Sequence, residues 1–321
     1  MSKSADTTLE RQAGRLLLAV PLLCLVIPAF AQTLYKYRGP DGDWVYSDRA
    51  PPDDDAVEVR DLPGGSASPR VTVLHRFADG RLQLAATNDY HAPVELILGI
   101  EELQNAERPD PLQSLRWVLA AKSETELMSL GATASAGTPK IVYRYTWLAG
   151  DPATEHAPDR PYRAPFAVAR AFPVSQAFPD TVTHTGADSR HAVDIVMPVG
   201  TGVYAARGGT VFEVTGTNFR GGLDPERDAA AANLVRILHE DGTYGEYAHL
   251  NRNSIRVKPG DIVRRGEYIA DSGNTGFSSG PHLHFAVIRN IGMRVESVPV
   301  VFEGANGSEV APATGTELTA Y

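Results

Sequence analysis

Cysteine is nearly absent from this 321-residue chain: the only one is Cys24. That scarcity excludes a disulfide framework, a thiolate metal centre and, beyond position 24, a cysteine nucleophile. A transition-metal site would have to be built from histidine and carboxylate. Positive charge is also in deficit, with 30 Lys and Arg against 39 Asp and Glu and a formal net charge of −9. This argues against nucleic acid as the main partner, because nucleic-acid-binding proteins carry a basic balance or patch. Long apolar runs are missing too. The most sustained one, Leu16 to Ile27, falls short of the ~20 residues a membrane helix needs, and nothing downstream is long enough for a span.

What is present begins with a secretory signature. Arg11 and Arg15 flank the apolar run, and Ala29-Phe30-Ala31 has the small-x-small pattern of a cleavage site. The expectation is a signal peptide over 1–31 and no stable membrane span after its removal. Cys24 follows Leu23 rather than a small residue, so a lipoprotein cleavage is not expected. Residues 32–62 then read as a small hairpin module, with Leu34-Tyr-Lys-Tyr37 and Trp44-Val-Tyr-Ser47 around Gly39-Pro-Asp-Gly42. Tyr35, Tyr37, Trp44 and Tyr46 are either a ligand platform or the core of a very small domain. The pattern resembles a small domain of unknown function at the N-terminus of bacterial envelope proteins, which implies the periplasm or cell envelope.

A linker, Pro63 to Pro69, leads into residues 70–150. Short β-favouring runs such as Val71–Leu74, Leu82–Ala86, Val94–Leu98, Leu115–Leu119 and Ile141–Trp147 alternate there with turn residues. Such spacing predicts a β-sandwich-like domain with no catalytic constellation. His75 and His91 stand alone in it. After a proline-rich connector the chain changes character: residues 166–303 are glycine-rich with short strands and no evident long helix. Six of the nine histidines fall between positions 184 and 284. The fold expected overall is all-β, with a small, polar, flexible tail at 304–321.

The chemistry concentrates in the run from Gly273 to Phe285, which ends Gly-Pro-His-Leu-His-Phe. Alternate residues of a strand share a face, so His282 and His284 point the same way as Ala286 and Ile288, while Leu283, Phe285 and Val287 point to a core. Paired imidazoles on one strand face suit a metal site. Three other segments accompany them: Thr183-His184 through His191-Ala-Val-Asp194, Tyr244-Gly-Glu-Tyr-Ala-His249, and Val257 to Ala270. His239 precedes a hairpin turn and reads as structural.

In order, a histidine ahead of Ala-Val-Asp194 with MPVGTGVYAA, then GGTV, YAHL, VKPGDIVRRG and GNTGFSSGPHLHF resemble the lysostaphin/LytM-type zinc metallopeptidases over about 110 residues. The resemblance implies a compact β-sheet core with a groove, related to the duplicated hybrid motif. It implies a Zn²⁺ ion held by Asp194, His284 and one first-motif histidine, with His249 and His282 acting on the reacting water and the transition state. It also implies peptidoglycan stem peptides as substrate, and wall-synthesis or division proteins as partners. A different class of reading is a non-catalytic LytM-like protein that activates a wall amidase. A third is a wall-binding protein built on the 70–150 domain.

One departure concerns the first ligand. The common motif places His and Asp four apart, on one strand face. Here His191 is three residues before Asp194 and His184 is ten before. The even separation favours His184 if Thr185 to Ser189 is the tight loop of a regular hairpin. Ser278 and Ser279, just ahead of the histidines, are expected to contact substrate rather than act as nucleophiles.

Overall fold

The structure, a computed structural model, describes residues 70–321 apart from 110–113, 134–136 and 181, together with the backbone of three short strands further upstream. The signal peptide expected at 1–31 lies outside the described residues, as do the side chains of Tyr35, Tyr37, Trp44 and Tyr46. The chain forms two units, Met1–Ser68 and Pro69–Tyr321. In the first, β1 (Thr33–Arg38) lies between β2 (Trp44–Ser47) and β3 (Glu58–Asp61) and runs antiparallel to both. The expected hairpin has thus gained a third strand.

The second unit opens with six strands: β4 (Val71–Ala78), β5 (Arg81–Asn88), β6 (Val94–Gln104), β7 (Arg116–Leu119), β8 (Ser123–Gly131) and β9 (Lys140–Ala149). They form two three-stranded antiparallel sheets, ordered β4-β5-β8 and β7-β6-β9. Alternation explains the arrangement. In β5, Leu82, Leu84 and Ala86 are buried and meet Leu96, Leu98 and Leu119 of the other sheet in one core.

The remaining strands are β10 (Ala171–Gln176), β11 (Val193–Ile195), β12 (Gly202–Tyr204), β13 (Gly209–Thr215), β14 (Gly221–Gly222), β15 (Leu234–Leu238), β16 (Tyr244–Ala248), β17 (Ile262–Val263), β18 (Tyr268–Asp271), β19 (Gly276–Phe277), β20 (Leu283–Asn290), β21 (Val295–Ser297), β22 (Phe302–Glu303), β23 (Glu309–Val310) and β24 (Glu317–Thr319). A nine-stranded sheet runs β17-β13-β15-β16-β20-β11-β10-β24, with β21 also paired to β20. On one face Leu283, Phe285 and Val287 of β20 join Val235, Ile237 and Tyr247 in a core closed by Val203, Ile269 and Ala270 of the β12–β18 pair. The protein is all-β; one turn of α-helix, Pro225–Asp228, and two short 3₁₀ turns are the helical elements among the described residues. That α-helical turn is short enough to agree with the absence of any evident long helix in the sequence of 166–303. Pro225 sits at its start and Asp224 caps it, accepting from the amides of Glu226 and Arg227. No helix of the described residues is long and apolar enough to cross a membrane.

Two findings depart from the sequence reading. The segment 304–321, expected to be flexible, is folded into the unit. Within it β24 pairs with β10, and Leu318 and Ala320 are buried in the core. Two well-placed apolar residues and a strand edge suffice to dock it, although its composition is small and polar.

The sandwich and the large sheet also share a core. Ala92, with Tyr90 and Ala149 at its margin, packs on Phe212, Tyr244, Ala286 and Ile288. Beside this cluster lies a buried carboxylate. Glu95 of β6 accepts from Asn290 Nδ2 at 2.9 Å and from the Met293 amide at 2.7 Å, and pairs with Arg116 Nη1 at 3.2 Å. Asn290 Nδ2 also donates to the Gly150 carbonyl at 3.1 Å. The sandwich therefore holds the far end of β20, the strand whose near end carries the histidine pair.

Candidate metal centre and active groove

The other face of the large sheet bears the polar groups. Period-two alternation puts His284 of β20 on that face, opposite Ala248 of β16 and Asp194 of β11 in the strand register. His282 lies one position before β20 and points the same way. Asp194 is buried at the centre. Its Oδ1 is 3.0 Å from His284 Nδ1 and 3.7 Å from His282 Nε2, and its Oδ2 is 3.2 Å from His184 Nε2. Ligand atoms of His184, Asp194 and His284 all lie within 4.8 Å of one another. The His184 and His284 rings meet edge-on, with centroids 4.9 Å apart.

Burial alone would raise the Asp194 pKa. Hydrogen bonds from His184 and His284, and the charges of His284 and His282, outweigh burial and hold the carboxyl well below the usual range. Burial likewise works to lower the His284 pKa, but Asp194 reverses it and the net direction is upward. The group is thus a fixed carboxylate ringed by imidazoles.

His249 follows β16 directly and sits at φ 60°, a left-handed backbone that few non-glycine residues adopt. Its Nδ1 is 2.7 Å from the Thr275 carbonyl, so Nδ1 carries the proton and Nε2 is the free acceptor. His282 is set in the same way, with Nδ1 2.8 Å from the Gly280 carbonyl and 3.2 Å from Ser278 Oγ. The two rings lie 4.5 Å apart. Burial first, then the neighbouring His282 and His284, push the His249 pKa down to about 3, so the ring is neutral at neutral pH.

These residues line an open groove of about 540 Å³. Val182, Thr183 and Ser189 contribute to it, as do Leu223 and Ala229, and Arg236 and Glu246 extend it along the sheet. No described residue of the sandwich lines it. The Leu223 segment is tied to the loop before the histidines by the parallel β14–β19 pairing. Gly276 is required there: its φ is +84°, and a Cβ would come within 2.7 Å of the Ala232 backbone.

Of the two contenders for the first-motif ligand, the fold brings His184 to Asp194. His191 is turned away, its ring tilted at 53° against Phe178 with centroids 4.7 Å apart and its amide bound to Ser297 Oγ. The path differs from the expected hairpin. No strand carries His184; residues 186–192 form successive turns, with the Ser189 and Arg190 amides reaching Gly186 and Ala192 reaching Ser189. Ser278 is buried, bonds to Asn274, Gly280 and His282 and so supports a histidine, while it also lines the groove. Ser279 lines the groove. Gln176 escaped the sequence reading. Its signal was a polar residue on the buried phase of an alternating strand, after Phe172 and Val174.

His239 is structural, buried with Nδ1 2.9 Å from the Gly208 carbonyl. Burial pushes its pKa from 6.5 down to about 4. The folded state keeps the ring neutral, whereas the unfolded chain takes up a proton below about pH 6.5. This contribution to stability is therefore full above about pH 6.5. It is lost as pH falls towards 4, at about 1.4 kcal/mol per pH unit. Denaturant titrations at pH 7.5 and 5 should show a shallower pH dependence for His239→Asn than for the wild type; equal slopes would remove His239 from the acid response.

Comparison with known proteins gives the following. Residues 188–297 match the family described as Peptidase family M23, and residues 22–72 match a domain of unknown function, DUF4124. The chain is 36% identical over 103 residues to the glycyl-glycine endopeptidase ALE-1 of Staphylococcus capitis, covering 32% of this chain and 25% of that protein. It is 37% identical over 98 residues to the peptidoglycan DD-endopeptidase ShyA of Vibrio cholerae, covering 30% and 20%. The matched region thus spans a quarter or less of the length of these relatives. The solved catalytic domain of lysostaphin from Staphylococcus simulans aligns at 28% identity over 45% of this chain and 89% of that one, with a TM-score of 0.28. Asp194, His249, His282 and His284 lie inside the family match, and His184 lies four residues before its start.

Proposed function

Because residues 188–297 are a domain of peptidase family M23, we propose that the chain is a zinc-dependent endopeptidase, exported to the periplasm or cell envelope, that hydrolyses peptide cross-links of bacterial peptidoglycan. The observation that carries this reading is the convergence of His184, Asp194 and His284 beside two further imidazoles in one open groove. The names of the relatives, a glycyl-glycine endopeptidase and a peptidoglycan DD-endopeptidase, support the choice of substrate polymer.

The donors fit zinc. Two imidazole nitrogens and one carboxylate, largely shielded from water, are the three-ligand set of a catalytic site that keeps a position open. The buried Nδ1 of His184 has no hydrogen-bond partner among the described residues, which leaves Nε2 as the nitrogen through which that ring is held. A bound zinc ion there supplies Lewis-acid polarisation of the scissile carbonyl and acidifies water. His249 and His282 present Nε2 lone pairs to the groove, each fixed by a carbonyl behind it. One of them takes the proton of the attacking water, and the same proton is then available to the departing amine. The alternative of a non-catalytic amidase activator is not favoured, because all five positions hold residues able to do this chemistry.

The test is to incubate the purified full-length protein with sacculi and to analyse the released muropeptides by mass spectrometry. Hydrolysed stem-peptide bonds, abolished by a chelator and restored by zinc, are expected. Release that ignores the chelator, or no release from zinc-loaded protein, overturns the reading.

A further inference from the structure

We propose that Gln176 is a positioning residue that assembles the metal-binding set, in place of the strand geometry that this sequence does not supply. The inference rests on the reading that His184, Asp194 and His284 hold the metal. Gln176 ends β10 and lies beside Asp194 in the β10–β11 register, just after an irregularity in the pairing. Its side chain is buried, the whole residue being 6% exposed. Nε2 donates to Asp194 Oδ2 at 2.8 Å and to Thr183 Oγ1 at 2.9 Å. Oε1 accepts from the Thr183 amide at 2.7 Å and from the Val182 amide. Both donors and both acceptor sites of the amide are used.

The consequence is geometric. His184 sits in a loop, ten residues ahead of Asp194 and outside the span of the family match, so no ladder of backbone bonds fixes its distance from the carboxylate. The Gln176 amide ties the two residues preceding His184 to the carboxylate that His184 must meet. The two backbone amides require an oxygen on their side, so the NH₂ group has to face Asp194, and the amide cannot flip without losing contacts on both sides. Glutamate has the same shape but would place a second negative charge against Asp194 and lose both donated bonds. Methionine keeps the volume and loses every polar contact.

Zinc affinity of the full-length protein should be measured by competition with a chromophoric chelator, for the wild type, Gln176→Glu and Gln176→Met. Both variants are expected to bind about 10- to 100-fold more weakly, the usual cost of removing a group that orients a metal ligand. The visible absorption of the cobalt-loaded protein is expected to shift in position and intensity, since it reports the arrangement of the ligands. A residue that only stabilised the fold would leave that spectrum unchanged. If one variant does not fold, the other carries the test. Wild-type affinity together with a wild-type cobalt spectrum in a folded variant overturns the proposal. It would leave the metal reading intact, because that stands or falls on whether His284→Ala loses the ion.

Discussion

Replacing Asp194 with alanine is expected to strip the protein of its metal and to lower peptidoglycan hydrolysis by roughly 10³-fold or more, the several kcal/mol that a Lewis-acid metal supplies. Asp194 is the group around which the site closes. Its two oxygens meet His184, His284 and His282, and Gln176 completes the ring. Without it only two nitrogen donors remain, and the imidazoles lose the charge that orders them. Metal content by mass spectrometry of the purified variant, beside hydrolysis of sacculi, checks both halves. The informative control is His191→Ala. The fold parks that ring on Phe178, away from the cluster, so metal and turnover should both persist. Loss of zinc in His191→Ala, with retention in His184→Ala, would reverse the assignment of the first ligand.

His249→Ala and His282→Ala should separate the two functions that Asp194 joins. Each is expected to keep the metal and to lose roughly 10²- to 10⁴-fold in kcat, the usual contribution of a positioned acid or base. The ligand atoms that converge belong to His184, Asp194 and His284. The other two rings instead have their Nδ1 atoms occupied by the carbonyls of Thr275 and Gly280. A ring fixed in that way through Nδ1 turns its Nε2 to the groove. Stoichiometric zinc with collapsed turnover is the expected pattern in both variants; a metal-free His249→Ala protein would make that residue a ligand.

The strand bearing the histidine pair was legible because its signal is local. Apolar Leu283, Phe285 and Val287 alternate with His282, His284 and Ala286, and a period of two fixes which face each occupies. Asp194 and His249 gave no comparable local signal and were found through the order of motifs. What stayed hidden depends on contacts between distant segments. Thr314 Oγ1 receives the Ala177 amide at 3.0 Å and donates to the Asp180 carbonyl at 3.1 Å, so the tail braces the loop that leads to His184. A run reading Ala-Pro-Ala-Thr-Gly-Thr carries no trace of that role. The turns between Gly186 and Ala192 are set by backbone bonds within the loop and by the Ala187 carbonyl, which accepts from the Ser297 amide; an even spacing alone points to the simpler hairpin. Gln176 lies outside every recognisable motif.

The carboxylate that joins the sandwich to β20 bears on how such a chain can be cut and recombined. A fragment starting near residue 166 would leave Phe212, Tyr244 and Ile288 without the Tyr90, Ala92 and Ala149 cover, and Asn290 without Glu95. Such a piece would expose a sticky apolar face just beyond the groove and would be prone to self-association. Grafting a different module in front of the large sheet would meet the same obstacle unless the newcomer brought an acidic side chain and a small apolar patch of matching shape. Modules that look interchangeable when written in a row have here become one heritable piece, with its natural seam near residue 69.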